Sequence, residues 1–330
     1  MGPVESILRH SLGDEREKFN ILTSFTHESW ETGLCKTGHN FYSYFTKGLK
    51  PWNDSRPLPK NYRRLPSDFV PDIPFDLIFS QTKFGQFQAL KPIADKLHLP
   101  IVCIEHTDVM PWWTEDQVKE MKKMKGVINV FITEYSRDRW GWEKDEAVVV
   151  RHGINTELFS PDEKVEKKQH ILSVVNDWEN RDYICGFSTW KKVTQGLPVH
   201  PVGDTKGFSL PSKSPEELVQ FYRQSTVFIN TSLLSPLPTS LLEAMSCGLP
   251  VVSTKNCAIP EVVIHGYNGF LSNDEKELRK YCVELLNNPS LAKEMGNNAR
   301  QTILQNFQEQ RFIEDWKNIF YQAANTGFKG

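Results

Sequence analysis

The stretch Thr231-Ser-Leu-Leu-Ser-Pro-Leu-Pro-Thr-Ser-Leu-Leu-Glu-Ala-Met-Ser-Cys-Gly-Leu-Pro-Val-Val-Ser-Thr254, continued by Ile259-Pro-Glu-Val-Val263 and Asn268-Gly-Phe270, decides how this chain is read. Its parts are a strand end, a Pro-rich turn, and a short helix expected to start on Thr239 and Ser240 as caps. A stop at Gly248 and a new buried strand follow. The helix carries a single carboxylate, Glu243, near a start whose unpaired N–H groups and positive dipole end suit an anion such as a phosphate. An ordinary βαβ unit with a capped helix gives the same pattern, so periodicity alone leaves both readings open.

The residues themselves resemble the donor-site signature of family 4 retaining glycosyltransferases, a group with the GT-B architecture. In that group a glutamate, seven residues and a second glutamate precede Ala-Met-x-x-Gly-x-Pro-Val-Val. Glu243-Ala244-Met245 and Gly248-Leu249-Pro250-Val251-Val252 match the second half, while Ser235 stands where the first glutamate is usual. The resemblance implies an α/β chain with two Rossmann-like domains whose parallel sheets face each other across a cleft. On this pattern residues 1–160 form the acceptor-binding domain, 161–310 the nucleotide-sugar domain, and 311–330 a helix that crosses back to the first domain.

Other segments extend the match. Lys18–Ser24 reads as a buried first strand, and Glu28–Lys36 as a helix ended at Gly38. Lys36-Thr37-Gly38-His39 resembles the family's Gly-His turn. The glycine pair common after the first strand is absent, but His27 and Glu28 stand at that strand's carboxyl end, where open α/β sheets bind ligands. Phe75–Ser80 reads as a strand, Phe84–Leu97 as a helix and Ile101–Ile104 as another strand that delivers Glu105-His106-Thr107-Asp108. His106 resembles the family's active-site histidine, and Asp108 joins the acceptor-side candidates with His27 and Glu28.

Val148–Pro161 is similar to the family's interdomain segment, with Gly153 among the candidate donor contacts, and with His152 and Asn155 replacing the usual asparagine and aspartate. Ile171–Val175 opens the second domain. In the family an arginine and, five residues later, a lysine hold the donor diphosphate there; this chain has Asn176 and Arg181, so one cation is kept. Three helices close the chain: Glu275–Asn287, Ser290–Phe307 and Gln308–Ala323, the last with an apolar face of Phe312, Trp316 and Phe320.

Composition agrees with a globular protein of about two domains: 330 residues, 39% hydrophobic and 24% charged, enough for a core in each half. The net charge of −2 argues against general coating of a polyanion. Between Lys47 and Arg64, however, six basic residues face the lone acid Asp54 and are interleaved with Trp52 and Tyr62. Such a loop could hold a nucleic-acid strand by charge and stacking, or be a solvated loop with its aromatics tucked inward. No apolar run is long enough to span a membrane and no apolar leader is evident, so the cytoplasm is the expected location, the host's if the gene is a phage's. The opening Met-Gly-Pro-Val-Glu-Ser formally fits N-myristoylation and is given no function. The six cysteines show no CxxC spacing and no Asp-x-Asp occurs, so neither a metal nor a cofactor is implied.

The expected reaction moves a sugar, with retention, from a nucleoside-diphosphate sugar, most simply UDP-linked, to a hydroxyl. His106 and Arg181 are the catalytic candidates, and Glu243, Ser235, Leu237, Thr239, Ser240, Asn176 and Gly153 the donor contacts. Similar compact enzymes of bacteriophages glycosylate hydroxymethylated pyrimidines in DNA, and the basic loop leans the acceptor that way. Polysaccharide, lipid and small-molecule acceptors remain alternatives. So does a sugar-nucleotide binder without turnover, a reading motivated by Ser235 and Asn176. A dinucleotide oxidoreductase is disfavoured because no G-x-G-x-x-G follows either first strand.

Overall fold

The computed structural model describes residues 18–25, 27–44, 52, 57–66, 70–82 and 85–326. The opening Met-Gly motif, Phe84 and the loop cations Lys47, Lys50 and Arg56 lie outside the described residues. The first half folds into β1 (Asn20–Thr23), α1 (Glu28–Cys35), β2 (Asn40–Ser43), β3 (Tyr62–Arg64), β4 (Leu77–Gln81) and α2 (Gln86–Leu97). It continues through β5 (Ile101–Glu105), α3 (Glu115–Lys122), β6 (Ile128–Phe131), α4 (Glu134–Arg139) and β7 (Val148–Val149). The strands form one seven-stranded sheet in the order β3-β2-β1-β4-β5-β6-β7, every pair parallel. Every residue of β4 and of β5 is buried, as a parallel strand covered on both faces requires.

The second half runs β8 (Ile171–Val174), α5 (Asp182–Cys185), α6 (Phe187–Thr194), β9 (Val199–Val202), α7 (Pro215–Gln224) and β10 (Val227–Asn230). After these come α8 (Thr239–Ser246), β11 (Val251–Ser253), β12 (Gly269–Leu271), α9 (Glu275–Asn287), α10 (Pro289–Asn306) and α11 (Glu309–Thr326). Its parallel five-stranded sheet has the order β12-β11-β10-β8-β9.

Strand order locates the ligand side. The chain winds outward from β1 through β2 to β3, then returns to β4 on the other flank of β1; β8 is flanked by β9 and β10 in the same manner. Each reversal opens a crevice at the carboxyl ends of the strands. His27 follows β1 and Asn176 follows β8, so each stands at one of these crevices.

Two crossings join the halves. In the first, residues 152–155 run outward; in the second, residues 307–309 run back beside them, with Ile154 N–H donating to Phe307 O at 2.8 Å and Glu309 N–H to Ile154 O at 3.1 Å. Arg311 fastens the pair by donating to the carbonyls of Arg151 and His152 at 2.9 and 2.7 Å. Helix α11 then lays Phe312, Trp316 and Phe320, spaced four apart on one face, into the core beneath the first sheet with Phe41 and Phe79.

Several local features were not foreseen from the sequence. Helix α3 has no fully buried residue; a Thr114–Gln117 capping box fixes its start, and only Val118 and Met121, three apart and half-buried, pack against the Phe131 and Trp140 cluster. Tyr62–Arg64, expected as part of a loop, is the edge strand of the first sheet. Helix α8 is not capped by Thr239 or Ser240: Pro238 holds the N-cap position, and the two residues are the first of the helix proper. Gly248 does end it, with φ +76° just past the C-cap.

Candidate functional site: the cleft between the two sheets

The first-domain wall is built in two layers. On the surface layer lie His27, the residue before α1, and His106, just past β5; their ring centroids are 5.3 Å apart at 64°. Beneath them sit two carboxylates. Glu31, fully buried, accepts the His27 backbone N–H at 2.8 Å and the Gln81 side-chain amide at 2.6 Å. Glu105 accepts the Thr107 N–H at 2.7 Å and the hydroxyls of Thr82 and Thr107, tying down the residue that follows His106. Glu28 opens α1 beside His27 and its carbonyl accepts the Thr32 hydroxyl.

Asp108 takes a different place from the acceptor-side one expected of it. It is 2% exposed, its carboxylate accepts the Val109 N–H at 2.7 Å, and it lies beside the Tyr135 hydroxyl and the Cys257 thiol, which itself points at Leu233 O at 3.6 Å. Cys257 belongs to the second domain, so Asp108 closes a contact between domains. Burial raises the Asp108 pKa, and burial with Asp108 alongside pushes the Cys257 thiol and the Tyr135 hydroxyl each up to about 12. The thiol and the phenol are held protonated, so neither is a source of nucleophiles. Cys257 also has φ +50°, strain of roughly 1–2 kcal/mol for a side chain with a Cβ. Nearby, Glu261 accepts the Tyr135 N–H at 2.6 Å, which places a carboxylate from the second domain at the start of α4.

On the second-domain wall, Asn176 and Arg181 come together as expected: Arg181 Nη1 donates to the Asn176 carbonyl at 3.3 Å. The guanidinium is exposed and keeps donors for an anion. The Asn176 side chain is less available, because its amide oxygen accepts the Asp204 N–H at 2.9 Å and ties β8 to β9. The segment carrying Arg181 is docked on the Pro-rich turn. Leu233 and Leu234 N–H groups reach the Ile184 carbonyl at 2.7 and 3.2 Å, and the Thr231 hydroxyl reaches Cys185 O at 2.9 Å. A Cβ on Gly186 would meet Thr231 O at 2.1 Å, which explains the glycine.

Along that turn, Ser235 is half-buried, Thr239 exposed and Ser240 half-buried. The Leu237 side chain is not a ligand group: it is 5% exposed and packs in the second-domain core. Its backbone hydrogen-bonds His152, the histidine of the outward crossing. Burial, with Arg311 adding to it, lowers the His152 pKa to about 4, so the ring is neutral at ordinary pH. Glu243 is half-buried and accepts the hydroxyl of fully buried Tyr222 at 2.8 Å; that hydroxyl also lies 3.2 Å from Ser240 O. Gly153 is required by packing, since a Cβ there would stand 2.5 Å from Phe312 Cβ.

Residues that sequence reasoning passed over are Trp30, Glu31, Glu105, Tyr222 and Cys257. Glu31 interrupts the otherwise apolar buried face of α1, a usable signal; the others acquire their partners only through long-range contacts. Of the two readings of the basic loop, the structure fits the one with its aromatics tucked inward. Trp52 and Tyr62 are each 7% exposed and pack with Phe25, Tyr62 stacked on it at 4.9 Å, which leaves Lys60, Arg63 and Arg64 as the described outward-facing groups. Among the described residues no group of three or more His, Cys, Asp or Glu is placed to hold a metal ion, and no helix is long and apolar enough to cross a membrane.

Comparison with known proteins bears on this geometry. Residues 205–302 match the family model for glycosyl transferases group 1. An uncharacterized glycosyltransferase of Methanocaldococcus jannaschii is 34% identical over 113 residues, 33% of this chain and 29% of that protein. The N-acetyl-alpha-D-glucosaminyl L-malate synthase of Bacillus anthracis is 34% identical over 92 residues, 27% of this chain and 24% of that protein. The chain thus spans under a third of the length of these two relatives. Over the whole fold, sucrose-phosphate synthase from Thermosynechococcus elongatus superposes with a TM-score of 0.74 at 14% identity, covering 93% of this chain and all of that one. Anabaena HepE, solved in complex with UDP-glucose, gives 0.71 at 14% identity, covering 92% and 100%. In fold the chain is a two-domain GT-B protein, and over residues 205–302 it carries a glycosyl transferases group 1 domain.

Proposed function

We propose that the protein is a glycosyltransferase that binds a nucleoside-diphosphate sugar, UDP-linked, against the second domain and passes the sugar to a hydroxyl held against the first. One observation carries this reading: Glu261 of the second domain accepts the Tyr135 N–H of the first at 2.6 Å, with Asp108 beside Cys257, so the carboxyl ends of both parallel sheets meet around one cleft. Arg181 and the start of α8 would take the charge that develops on the leaving diphosphate, Glu243 the ribose hydroxyls, and His106 with His27 the sugar and the incoming hydroxyl. By resemblance the anomeric configuration is retained.

For the acceptor, hydroxymethylated pyrimidines in DNA keep the support of Lys60, Arg63 and Arg64 but lose that of the buried aromatics. The relatives' names, a sucrose-phosphate synthase and a glucosaminyl malate synthase, describe small glycosides, and we place a small-molecule or glycan hydroxyl ahead of a DNA base. The test is thermal stabilisation by a panel of nucleoside diphosphates and their sugars, since a ligand of the folded state at about 100 times its Kd adds about 2.7 kcal/mol. The reading expects UDP and UDP-glucose to raise the melting temperature, and Glu243→Ala to cancel most of the rise. A panel without any stabilising nucleotide would reject it.

A further inference from the structure

We propose that Trp30 is a positioning residue for His106, and that through it the imidazole is tied to the helix returning from the second domain. The inference rests on the glycosyltransferase reading above. Trp30 lies on α1, three residues past His27, and its half-buried indole makes four ring contacts. His106 stands 4.7 Å away at 85°, Phe79 of β4 is stacked at 6.0 Å and 17°, and Phe312 and Trp316 of α11 meet it edge-to-face, each at 5.6 Å. Three of the four contacts fix the indole; the fourth presents it to the imidazole as a wall.

His106 needs such a wall. The Glu105 carboxylate ties down the Thr107 N–H that follows His106 and the Thr82 hydroxyl, and the ring's side-chain torsions depend on what the ring touches. Among the described residues its ring meets those of Trp30 and His27, of which Trp30 is the rigid, apolar one. A swing to another rotamer would move the ring nitrogens by more than 1 Å, a displacement that can cost about a hundredfold in rate.

The wall is in turn set by α11. That helix begins where Glu309 N–H bonds Ile154 O, and its Phe312 packs against Gly153 in the outward crossing. A change in how the crossings lie together therefore moves Phe312 and Trp316, then Trp30, then His106. The imidazole is aligned when the two domains are seated.

The experiment is steady-state turnover of UDP-glucose with water as acceptor. The bond from the anomeric carbon to the diphosphate oxygen breaks, water supplies the new oxygen, and glucose and UDP are released. Rates are normalised to UDP-binding sites, so that partial unfolding does not count. Trp30→Leu should lower kcat ten- to a hundredfold with KM within twofold, Trp30→Phe should recover it to within threefold, and Phe312→Leu, which reaches His106 through Trp30, should lower kcat several-fold. If Trp30→Leu does not fold, the phenylalanine variant and Phe312→Leu still decide the matter. Wild-type kcat in Trp30→Leu or Phe312→Leu, or an effect confined to KM, overturns the inference while leaving the parent reading intact, provided His106→Ala is inactive. Full activity in His106→Ala, or a wild-type protein that binds UDP-glucose without consuming it in water or with any acceptor hydroxyl supplied, overturns the parent reading and this inference with it.

Discussion

Gly33 and Gly153 approach the same side chain, Phe312, from opposite sides, and adding one methyl group to each should have effects of opposite sign. At Gly33, in α1, a new Cβ would lie 3.7 Å from Phe312 Cε1, an ordinary van der Waals contact, and the backbone is helical. Gly33→Ala therefore gains a contact, raises helix propensity and restricts the unfolded chain, together worth about 0.5–1 kcal/mol of added stability. At Gly153 the new Cβ would lie 2.5 Å from Phe312 Cβ, 2.8 Å from its Cγ and 3.2 Å from Glu309 Cα. Two of these atoms are backbone or the first side-chain carbon, which cannot swing aside, so α11 must move off the crossing. Overpacking of this kind costs about 1–3 kcal/mol. Urea denaturation of both variants and wild type, with slopes compared to confirm the same transition, measures the difference. Gly153→Ala as stable as wild type, or Gly33→Ala less stable, would refute the claim that Phe312 is seated between them.

Three further outcomes follow from the site. Tyr222→Phe removes the hydroxyl given to Glu243 and should cost about 1–3 kcal/mol of stability, with weaker UDP binding by calorimetry; unchanged values of both would remove Tyr222 from the donor site. At Cys257, φ +50° makes glycine the less strained replacement, so Cys257→Gly should be more stable than Cys257→Ala by about 1 kcal/mol in a chemical melt; the reverse order would show that the strain is absent. His39 and His152 are buried with pKa values lowered from 6.5 to about 4, mainly by burial. The unfolded chain binds protons that the folded one refuses, so their contribution is intact above pH 6.5 and is lost as pH falls toward 4, on the order of 3 kcal/mol for each ring. Melting temperatures across that window should fall less steeply for His152→Gln, and a parallel fall would count against the buried neutral ring.

What the sequence revealed depended on how local the signal was. Strands such as Ile101–Glu105 announce themselves as short apolar runs, and the stop at Gly248 needs only a residue that tolerates positive φ. The stripe Phe312, Trp316 and Phe320 marked α11 as amphipathic, and its pattern matches the face that enters the first core. Helix α3 offers only Val118 and Met121 among charged residues, too short a stripe to be read; β3 is three residues long and carries arginines, which read as loop. At the candidate site, His27 was read from its place at a strand end, and His106, Asn176 and Arg181 from the family resemblance; the structure sets His27 beside His106 and Asn176 beside Arg181. Their supports were not found, because Glu31 meets Gln81 across fifty residues and Asp108 meets Cys257 across the domain boundary. Asp108 and Leu237 were misplaced for the same reason: nothing near them in sequence says that one is buried between domains and the other within a core.

The central claim is that the cleft performs sugar transfer, and the most direct measurement is a proton NMR time course of UDP-glucose with the wild-type protein, His106→Ala and Glu243→Ala. Small polyols, oligosaccharides, lipid alcohols and hydroxymethylcytosine-containing DNA serve in turn as acceptors. The account predicts loss of the UDP-glucose anomeric signal with wild-type protein, release of UDP and a product signal in the α configuration, with both variants at least a hundredfold slower. Saturable UDP-glucose binding with no loss of that signal under any acceptor, water included, would contradict it.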